Sequence, residues 1–180
     1  MRYTALLASS LVLVGCAPRQ GDVPAEIPSS LAARREIWQA IVPMAQARRI
    51  DPGFVYALVK IESNFDPHAR RGEARGLLQI KPRAWKDVSD LPYETDSWEW
   101  RSNLLVGIEG LSRMKAELAA KGRFSYPVLW ACYHYGYDFV AEHGFDMSRI
   151  PRPSDPVSLK IWRGETSPIK PPQWPRQDGS

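Results

Sequence analysis

The sequence predicts an all-α fold for one domain within this 180-residue chain. Apolar residues recur at helical spacing in separate segments, Asp51-Pro52 is a strong helix start, and a hydrophobic fraction of 44% can form a core. The length allows one domain of ordinary size. We expect this domain to span residues 29–150, between an N-terminal leader with its tether and a proline-rich C-terminal tail over residues 151–180.

An export signal peptide is expected over residues 1–15. A basic residue precedes an apolar run, residues 3–14, that is too short to span a bilayer and ends in small residues. The ending Leu13-Val14-Gly15-Cys16 resembles the lipobox of bacterial lipoproteins, which implies cleavage before Cys16 and a lipid anchor on it. Ala17 resembles the sorting pattern for the periplasmic face of the outer membrane. The alternative is a secreted protein whose leader happens to contain cysteine.

Residues 16–28 carry proline, glycine and charge with little apolar content, which is typical of a tether. The fold then begins with a helix that Ser29 or Ser30 can cap. Pro43 is expected to end or kink this helix. Its apolar positions at helical spacing are Ile37, Trp38, Ile41 and Val42.

The second helix, capped by Asp51, ends near Ser63 and carries Glu62, the candidate catalytic residue. Three apolar residues precede Glu62 by seven, four and three positions and so share its face: Val55, Leu58 and Val59. Apolar surroundings raise the pKa of a carboxyl group, which keeps a proton available near neutral pH for general acid catalysis. The alternative is a helix that ends in a solvated glutamate.

Two motifs follow each other closely here. Glu62-Ser63-Asn64-Phe65-Asp66-Pro67 is completed, fourteen residues after the glutamate, by Gly76-Leu77-Leu78-Gln79-Ile80. Together they resemble the ES…GLMQ signature of the soluble lytic transglycosylases, relatives of goose-type lysozyme. The resemblance covers residues 29–141 and implies a single helical domain of the α+β lysozyme-like superfamily with a substrate groove. It also implies that Ser63 and Gln79 orient the sugar and the acid.

Residues 65–75 lack periodicity, so this loop is expected to turn the chain back toward Glu62, with Gly76 allowing close approach. The family has one more residue in this loop and a methionine where Leu78 stands. Residues 82–85 resemble the short turn that follows in the family.

Residues 91–99 are polar and aromatic and are expected to form a surface loop along the groove. Trp98 and Trp100 could stack on sugar rings or could be buried, and the sequence favours neither. A helix over residues 103–121 follows, in which Asn103 and Gly107 match the N…G helix of the family. Its apolar face is expected to pack in the core through Leu104, Ile108, Leu111 and Leu118.

A buried helix is expected over residues 128–140, because it is apolar nearly all round. At its centre, Cys132-Tyr133-His134-Tyr135-Gly136 resembles the A-Y-N-A-G of the family. The resemblance implies that Tyr133 hydrogen-bonds Glu62 or the substrate. His134 replaces the asparagine of the family and alters the local polar network, because imidazole titrates near pH ~6.5. Cys132 is expected to be a buried apolar residue and not a nucleophile.

No metal, cofactor or nucleic acid is expected. The three histidines, His68, His134 and His143, do not show a zinc-type spacing. The formal net charge of +4 is scattered along the chain, which is too weak a pattern for nucleic-acid binding.

The resemblance implies a lytic transglycosylase that cleaves the β-1,4 bond between N-acetylmuramic acid and N-acetylglucosamine in peptidoglycan. Glu62 would act first as acid and then as base, and the product would carry a 1,6-anhydro ring. A hydrolase (muramidase) is the alternative within the same class. It needs a second carboxylate, which could come from Asp66, Glu73, Asp87 or Asp96.

An alternative from a different class is a non-catalytic peptidoglycan-binding lipoprotein, in which His134 marks a lapsed site. The retention of Glu62, Ser63, Gln79 and Tyr133 together weighs against it.

Residues 151–180 contain seven of the sixteen prolines, so no regular structure is expected there. Ile161, Trp162 and Trp174 could clamp onto the domain or contact a partner such as a larger envelope machine. The sequence does not decide between these interpretations.

Overall fold

The computed structural model describes residues 31–173, and this part of the chain is mostly helical. The predicted signal peptide, the tether with Cys16, and Trp174 lie outside the described residues. The elements in chain order are α1 (Leu31–Ala47), α2 (Pro52–Ser63), β1 (Arg70–Arg71), β2 (Ala74–Arg75), α3 (Pro82–Lys86), α4 (Tyr93–Asp96), α5 (Trp100–Ala120), α6 (Tyr126–Tyr135), α7 (Tyr137–Glu142), a 3-10 turn (Met147–Arg149) and α8 (Pro156–Trp162). The predicted helical fold is confirmed, with one antiparallel two-stranded hairpin beside the helices. None of the helices in this range is long and apolar enough to cross a membrane.

Helix α2 forms the centre of the hydrophobic core. It packs against α1 and α8, while α5 packs against α1, α3 and α6. Phe54, Leu58 and Val59 on α2 are fully buried. Burying each side chain of this size contributes ~1.5–3 kcal/mol. The helix is therefore held from several sides, and the position of Glu62 near its end is fixed with it.

Both ends of α2 follow signals in the sequence. The Asp51 side chain accepts a hydrogen bond from the backbone N–H of Phe54 at 3.0 Å, and a proline occupies the first turn. At the other end Asn64 (φ 53°) and Phe65 (φ 68°) both adopt left-handed backbone. Two such residues in succession reverse the chain sharply and direct it into the β1–β2 hairpin.

The segment 76–80 is held against α5 by the side-chain amide of Asn103, which is fully buried. Its Oδ1 accepts from the backbone N–H of Leu78 at 2.9 Å. Its Nδ2 donates to the carbonyl oxygens of Arg75 and Ser97, each at 3.0 Å. One amide therefore joins the end of the hairpin, the segment 76–80 and the residues that precede α5.

Two glycines permit this close packing. Gly76 has a φ of 76°, and a Cβ at this position would overlap the Asn103 amide. Gly107 lies on α5 beneath Leu78, and a Cβ there would overlap the leucine side chain. A larger residue at either position would push the segment 76–80 away from α5.

Several predicted elements differ from the structure. The loop predicted over residues 65–75 contains the β1–β2 hairpin. The loop predicted over residues 91–99 contains α4. Helix α5 starts at Trp100 and not at Asn103, because the Glu99 carboxylate caps it by accepting from the backbone N–H of Ser102 at 2.9 Å. The single helix predicted over residues 128–140 is two helices, because Gly136 adopts a φ of 97° between α6 and α7. Pro43 does not end α1, which continues to Ala47.

The expectation that the proline-rich tail lacks regular structure is wrong. Helix α8 begins where the Asp155 carboxylate accepts from the backbone N–H of Ser158 at 2.8 Å, with Pro156 in the first turn. Ile161 on this helix is fully buried. The tail clamps onto the domain because α8 packs against α2 and α6.

The chain after α8 runs back along the start of the domain. Ser167 donates to Asp51 Oδ1 at 3.0 Å, beside the start of α2. Further on, the carbonyl oxygen of Gln173 accepts from Arg35 of α1 at 3.2 Å. Residues 163–173 therefore form a strap that ends next to the first turns of α1.

Replacing Asn103 by alanine is expected to lower the free energy of unfolding by roughly 2–4 kcal/mol, because the buried N–H of Leu78 and the buried carbonyl oxygen of Ser97 lose their partner. Urea unfolding followed by circular dichroism measures the change. Gln39→Ala, which removes an exposed amide from α1, is the matched control and should change the value by less than about 0.5 kcal/mol. Equal losses in the two variants would contradict the role assigned to Asn103.

Candidate active site

Glu62 lines a groove of about 610 Å³. The groove is bounded by the hairpin, the segment 76–80, α5 and the junction of α6 with α7, through residues that include Arg71, Gln79, Val106, Gly107, Tyr133 and Tyr137. Glu62 is 9% exposed and is the one charged residue that is buried within residues 31–173. A carboxyl group in this position reaches a ligand in the groove while being largely shielded from bulk water.

Two opposing effects act on the proton of Glu62. Burial raises the pKa of Glu62, and the nearby Arg71 guanidinium lowers it, with burial the larger effect. Arg71 Nη1 lies 3.5 Å from Glu62 Oε2 and is itself largely exposed. The raised pKa that the apolar helix face predicted is confirmed, and Val55, Leu58 and Val59 are all fully buried. Arg71 was missed as a partner, since the sequence showed only an Arg-Arg pair in a loop.

Gln79 lines the groove, and its amide also holds the hairpin in place. Nε2 donates to the carbonyl oxygens of Ala69 at 2.8 Å and Gly76 at 2.9 Å. Oε1 is buried and has no hydrogen-bond partner within the described residues. A donor that reached this part of the groove would satisfy that oxygen.

Tyr133 connects α6 to the segment 76–80. Its hydroxyl donates to the carbonyl oxygen of Leu78 at 2.5 Å, and the ring lines the groove beside Glu62. Burial, and secondarily the charge of Glu62, raise the pKa of Tyr133 well above its ordinary value. The hydroxyl therefore stays protonated and donates to Leu78 rather than to Glu62. Its contact with substrate stays a prediction.

Ser63 does not reach the groove. Its hydroxyl donates to the carbonyl oxygen of Val59 at 3.0 Å within α2, and the residue is buried. This back-bond satisfies the hydroxyl inside the helix. The role predicted for Ser63 in orienting the sugar and the acid stays a prediction.

His134 lines the same groove as Glu62, as its place beside Tyr133 suggested. Its ring stacks on Trp130, with centroids 5.2 Å apart and an interplanar angle of 12°. Burial lowers the pKa of His134, and the positive charge of Arg71 lowers it further. The imidazole is therefore neutral at neutral pH, so this position remains uncharged as an asparagine would be.

Cys132 is buried, as expected. Burial raises the pKa of its thiol to about 11, with a smaller contribution from the charge of Glu117. A thiol with such a pKa is not a nucleophile near neutral pH.

Neither tryptophan of the 91–100 region lines the groove. Trp100 is 7% exposed and belongs to the core. Trp98 is half-buried, with the Arg75 guanidinium 5.0 Å from its ring centre. The burial interpretation therefore holds for Trp100.

Of the four carboxylates that a hydrolase would need, Asp87 is the one that lines the groove with Glu62. Asp66 accepts from the backbone N–H of His68 at 2.8 Å, and Asp96 accepts from the Thr95 hydroxyl at 2.7 Å. Glu73 is exposed at the hairpin turn. Within residues 31–173, no cluster of three His, Cys, Asp or Glu side chains could hold a metal ion.

The model of the Transglycosylase SLT domain family matches residues 39–143. This range contains Glu62, Gln79 and Tyr133 and ends before α8. Among curated protein sequences, none matches this chain.

One similar solved structure is the lytic transglycosylase Slt of Pseudomonas aeruginosa, determined as an inactive glutamate-to-glutamine mutant. It has 20% sequence identity to this chain and a TM-score of 0.53. The match covers 73% of this chain and 20% of that chain, so this chain spans about a fifth of the length of the solved protein. This likeness shows that the two proteins share a fold.

Glu62→Gln is expected to melt at a higher temperature than wild type at pH 7 and at nearly the same temperature at pH 4. Because the folded-state pKa of Glu62 is raised from its ordinary 4.5, its contribution to stability is fully present below pH 4.5. That contribution is lost as the pH rises through the folded-state pKa, since an ionised carboxylate is costly to bury. Glutamine removes this cost.

Differential scanning calorimetry at both pH values measures the difference. Glu36→Gln, the same change on an exposed position of α1, is the control and should show no comparable gain at pH 7. If the two variants gained equally, the gain would not arise from burial of Glu62.

Proposed function

This chain belongs to the Transglycosylase SLT domain family, and from that premise we propose that it is a peptidoglycan lytic transglycosylase, a carbon–oxygen lyase. The observation that carries the proposal is the buried Glu62 carboxyl group, with its raised pKa, on the wall of an open groove. The inactive mutant of the Slt enzyme carries glutamine in place of a glutamate, which supports a glutamate as the essential group.

The reaction uses one carboxyl group twice. Glu62 donates its proton to the oxygen of the β-1,4 bond on the N-acetylglucosamine side, and the bond from that oxygen to C1 of N-acetylmuramic acid breaks. The Glu62 carboxylate then accepts the proton of the muramoyl C6 hydroxyl, whose oxygen bonds to C1. The products are a free hydroxyl on one sugar and a 1,6-anhydro ring on the other, and no water is consumed.

The surroundings of Glu62 suit this double use. Burial favours the protonated form that starts the reaction, and the Arg71 guanidinium favours the carboxylate that forms midway. Gln79 and Tyr133 support the reaction by fixing the wall of the groove through Ala69, Gly76 and Leu78.

A hydrolase is the second candidate, because Asp87 lines the same groove as Glu62. In that mechanism Asp87 would activate a water molecule on the opposite face of the sugar, and the product would be a reducing end. A non-catalytic peptidoglycan-binding protein is the third candidate, and the protonatable acid in the groove weighs against it.

The full-length chain is expected to release muropeptides with 1,6-anhydro ends from purified sacculi, as detected by chromatography with mass analysis. Glu62→Gln should lose activity by several orders of magnitude, because it removes both an acid and a base and each such role contributes ~10²–10⁴-fold. Asp87→Asn should keep most of the activity, because a transglycosylase does not activate water.

Other results of the same experiment would support one of the two other candidate functions. Reducing-end products that disappear in Asp87→Asn indicate a hydrolase. Retained binding to sacculi without any product indicates a binding protein. Full activity of Glu62→Gln would overturn the catalytic assignment whatever the products are.

We also propose that Cys16 carries the lipid anchor and that the enzyme acts at the periplasmic face of the outer membrane. The support is the Leu13-Val14-Gly15-Cys16 sequence with the tether that follows it. Mass spectrometry of the mature N-terminus is expected to show an acylated Cys16. Cys16→Ser should leave the membrane fraction, and an unmodified N-terminus elsewhere or an equally membrane-bound variant would refute the anchor.

A further inference from the structure

A second cavity of about 470 Å³ adjoins the groove. The two share one wall, because Arg71, His134 and Tyr135 line both. The opposite wall of the second cavity comes from residues 152–158, which lie outside the range matched by the family model. A ligand in the groove that extends past Arg71, His134 and Tyr135 therefore reaches a space that the C-terminal segment completes.

This outer wall is fixed in place by hydrogen bonds and packing. The Tyr135 hydroxyl donates to the carbonyl oxygen of Pro151 at 3.0 Å. The Asp155 carboxylate caps α8, and Ser158 is 2% exposed. Pro151 and Pro153 flank Arg152 and restrict the backbone on both sides of it. The backbone of Arg152 is thereby held at the cavity, and its side chain is exposed.

Two cationic side chains line the cavity, and one of them, Arg71, also lies 3.5 Å from the Glu62 carboxylate of the groove. Arg71 and Arg152 both line it, and Asp155 is the single acidic residue in the lining. That carboxylate already accepts from the backbone N–H of Ser158. Arg152 has no hydrogen-bond or ion-pair partner within residues 31–173. The hydroxyl of Ser154 adds a further donor at the rim.

The chemistry of these donors fits a carboxylate. A guanidinium binds a carboxylate through two parallel N–H groups, and such charge-assisted hydrogen bonds are roughly twice as strong as neutral ones. An exposed arginine on a convex surface would more simply be a solvated residue. Arg152 is exposed, but it lines a concave space next to the groove of the catalytic acid.

We propose that this second cavity binds a carboxylate of the peptide side chain carried by the glycan strand, with Arg152 as the residue that recognises it. The inference rests on the proposed function, since it takes peptidoglycan as the polymer in the groove. The sugars of such a strand are neutral when the lactyl group is joined to peptide, so its carboxylates lie on the peptide. Ile61, Tyr135 and Pro153 supply apolar surface for the aliphatic parts of that peptide.

The test compares full-length wild type with Arg152→Gln on two forms of one substrate. The first form is glycan strands with free peptide carboxylates. The second is the same strands after carbodiimide and ammonia have converted those carboxylates to amides. Arg152→Gln should raise KM about 10-fold on the first form with kcat nearly unchanged, and it should match wild type on the second.

Arg163→Gln is the matched control, because Arg163 is an exposed arginine of the same segment outside the cavity. It should behave as wild type on both substrates. An equal loss of Arg152→Gln on both substrates, or no loss on either, would overturn the proposal.

A third substrate identifies the source of the carboxylate. Amidase treatment removes the peptide and leaves the lactyl carboxylate on each muramic acid. A KM defect of Arg152→Gln on these strands, with none on peptide-bearing strands, would assign the cavity to the lactyl group and refute the peptide assignment.

A binding measurement separates this proposal from the proposed reaction. Calorimetric titration with soluble disaccharide-peptides should show about 10-fold weaker binding to Arg152→Gln than to wild type, and no difference once the carboxylates are amidated. This difference is expected whether or not the chain cleaves sacculi. Equal affinities of wild type and Arg152→Gln for the free-carboxylate ligand would refute the proposal even if the enzyme is active.

Discussion

The structure of the site depends on the side-chain amide of Asn103. The segment 76–80 has little regular structure of its own, yet it must stand at a fixed distance from the end of α2. Asn103 fixes the segment to α5 by bonding Leu78 within it, Arg75 before it and Ser97 ahead of α5. Two glycines, Gly76 and Gly107, allow the approach. Tyr133 then joins α6 to the same segment through Leu78, so four separate parts of the chain meet beside Glu62.

The surroundings of the last turn of α2 explain why the Glu62 carboxyl group lies in a groove and not on the open surface. A glutamate in the last turn of a helix is ordinarily solvated. Here the apolar face of α2 and the walls of the groove bury the carboxyl group, and the chain reverses after α2 through two left-handed residues into the hairpin. The same hairpin brings in Arg71, which partly offsets the effect of burial. Burial of Glu62 and its compensation by charge thus come from different parts of the chain, the apolar face of α2 and one side chain of the hairpin.

The sequence predicted those features of the fold that depend on residues close together in the chain, namely helix caps and the apolar faces of helices. The Asp51 cap, the apolar face behind Glu62 and the core face of α5 all follow from spacing along the chain. The contact between Arg71 and Glu62 could not be predicted, because it depends on the path of the hairpin. Helix α8 was missed because the many prolines of the tail were given more weight than a specific helix start, Asp155 followed by Pro156. The break at Gly136 was missed because the surrounding residues are apolar on every side.

The strap over residues 163–173 also determines how the domain would respond to mechanical tension. Arg35 near the start of the described chain bonds Gln173 near its end, and Ser167 bonds Asp51 close by. The two ends of the described range therefore lie side by side. A pulling force applied across them would break these polar contacts and the packing of Pro168 and Ile169 one after another, as in peeling. The strap would then detach while the helices around Glu62 still carried little load.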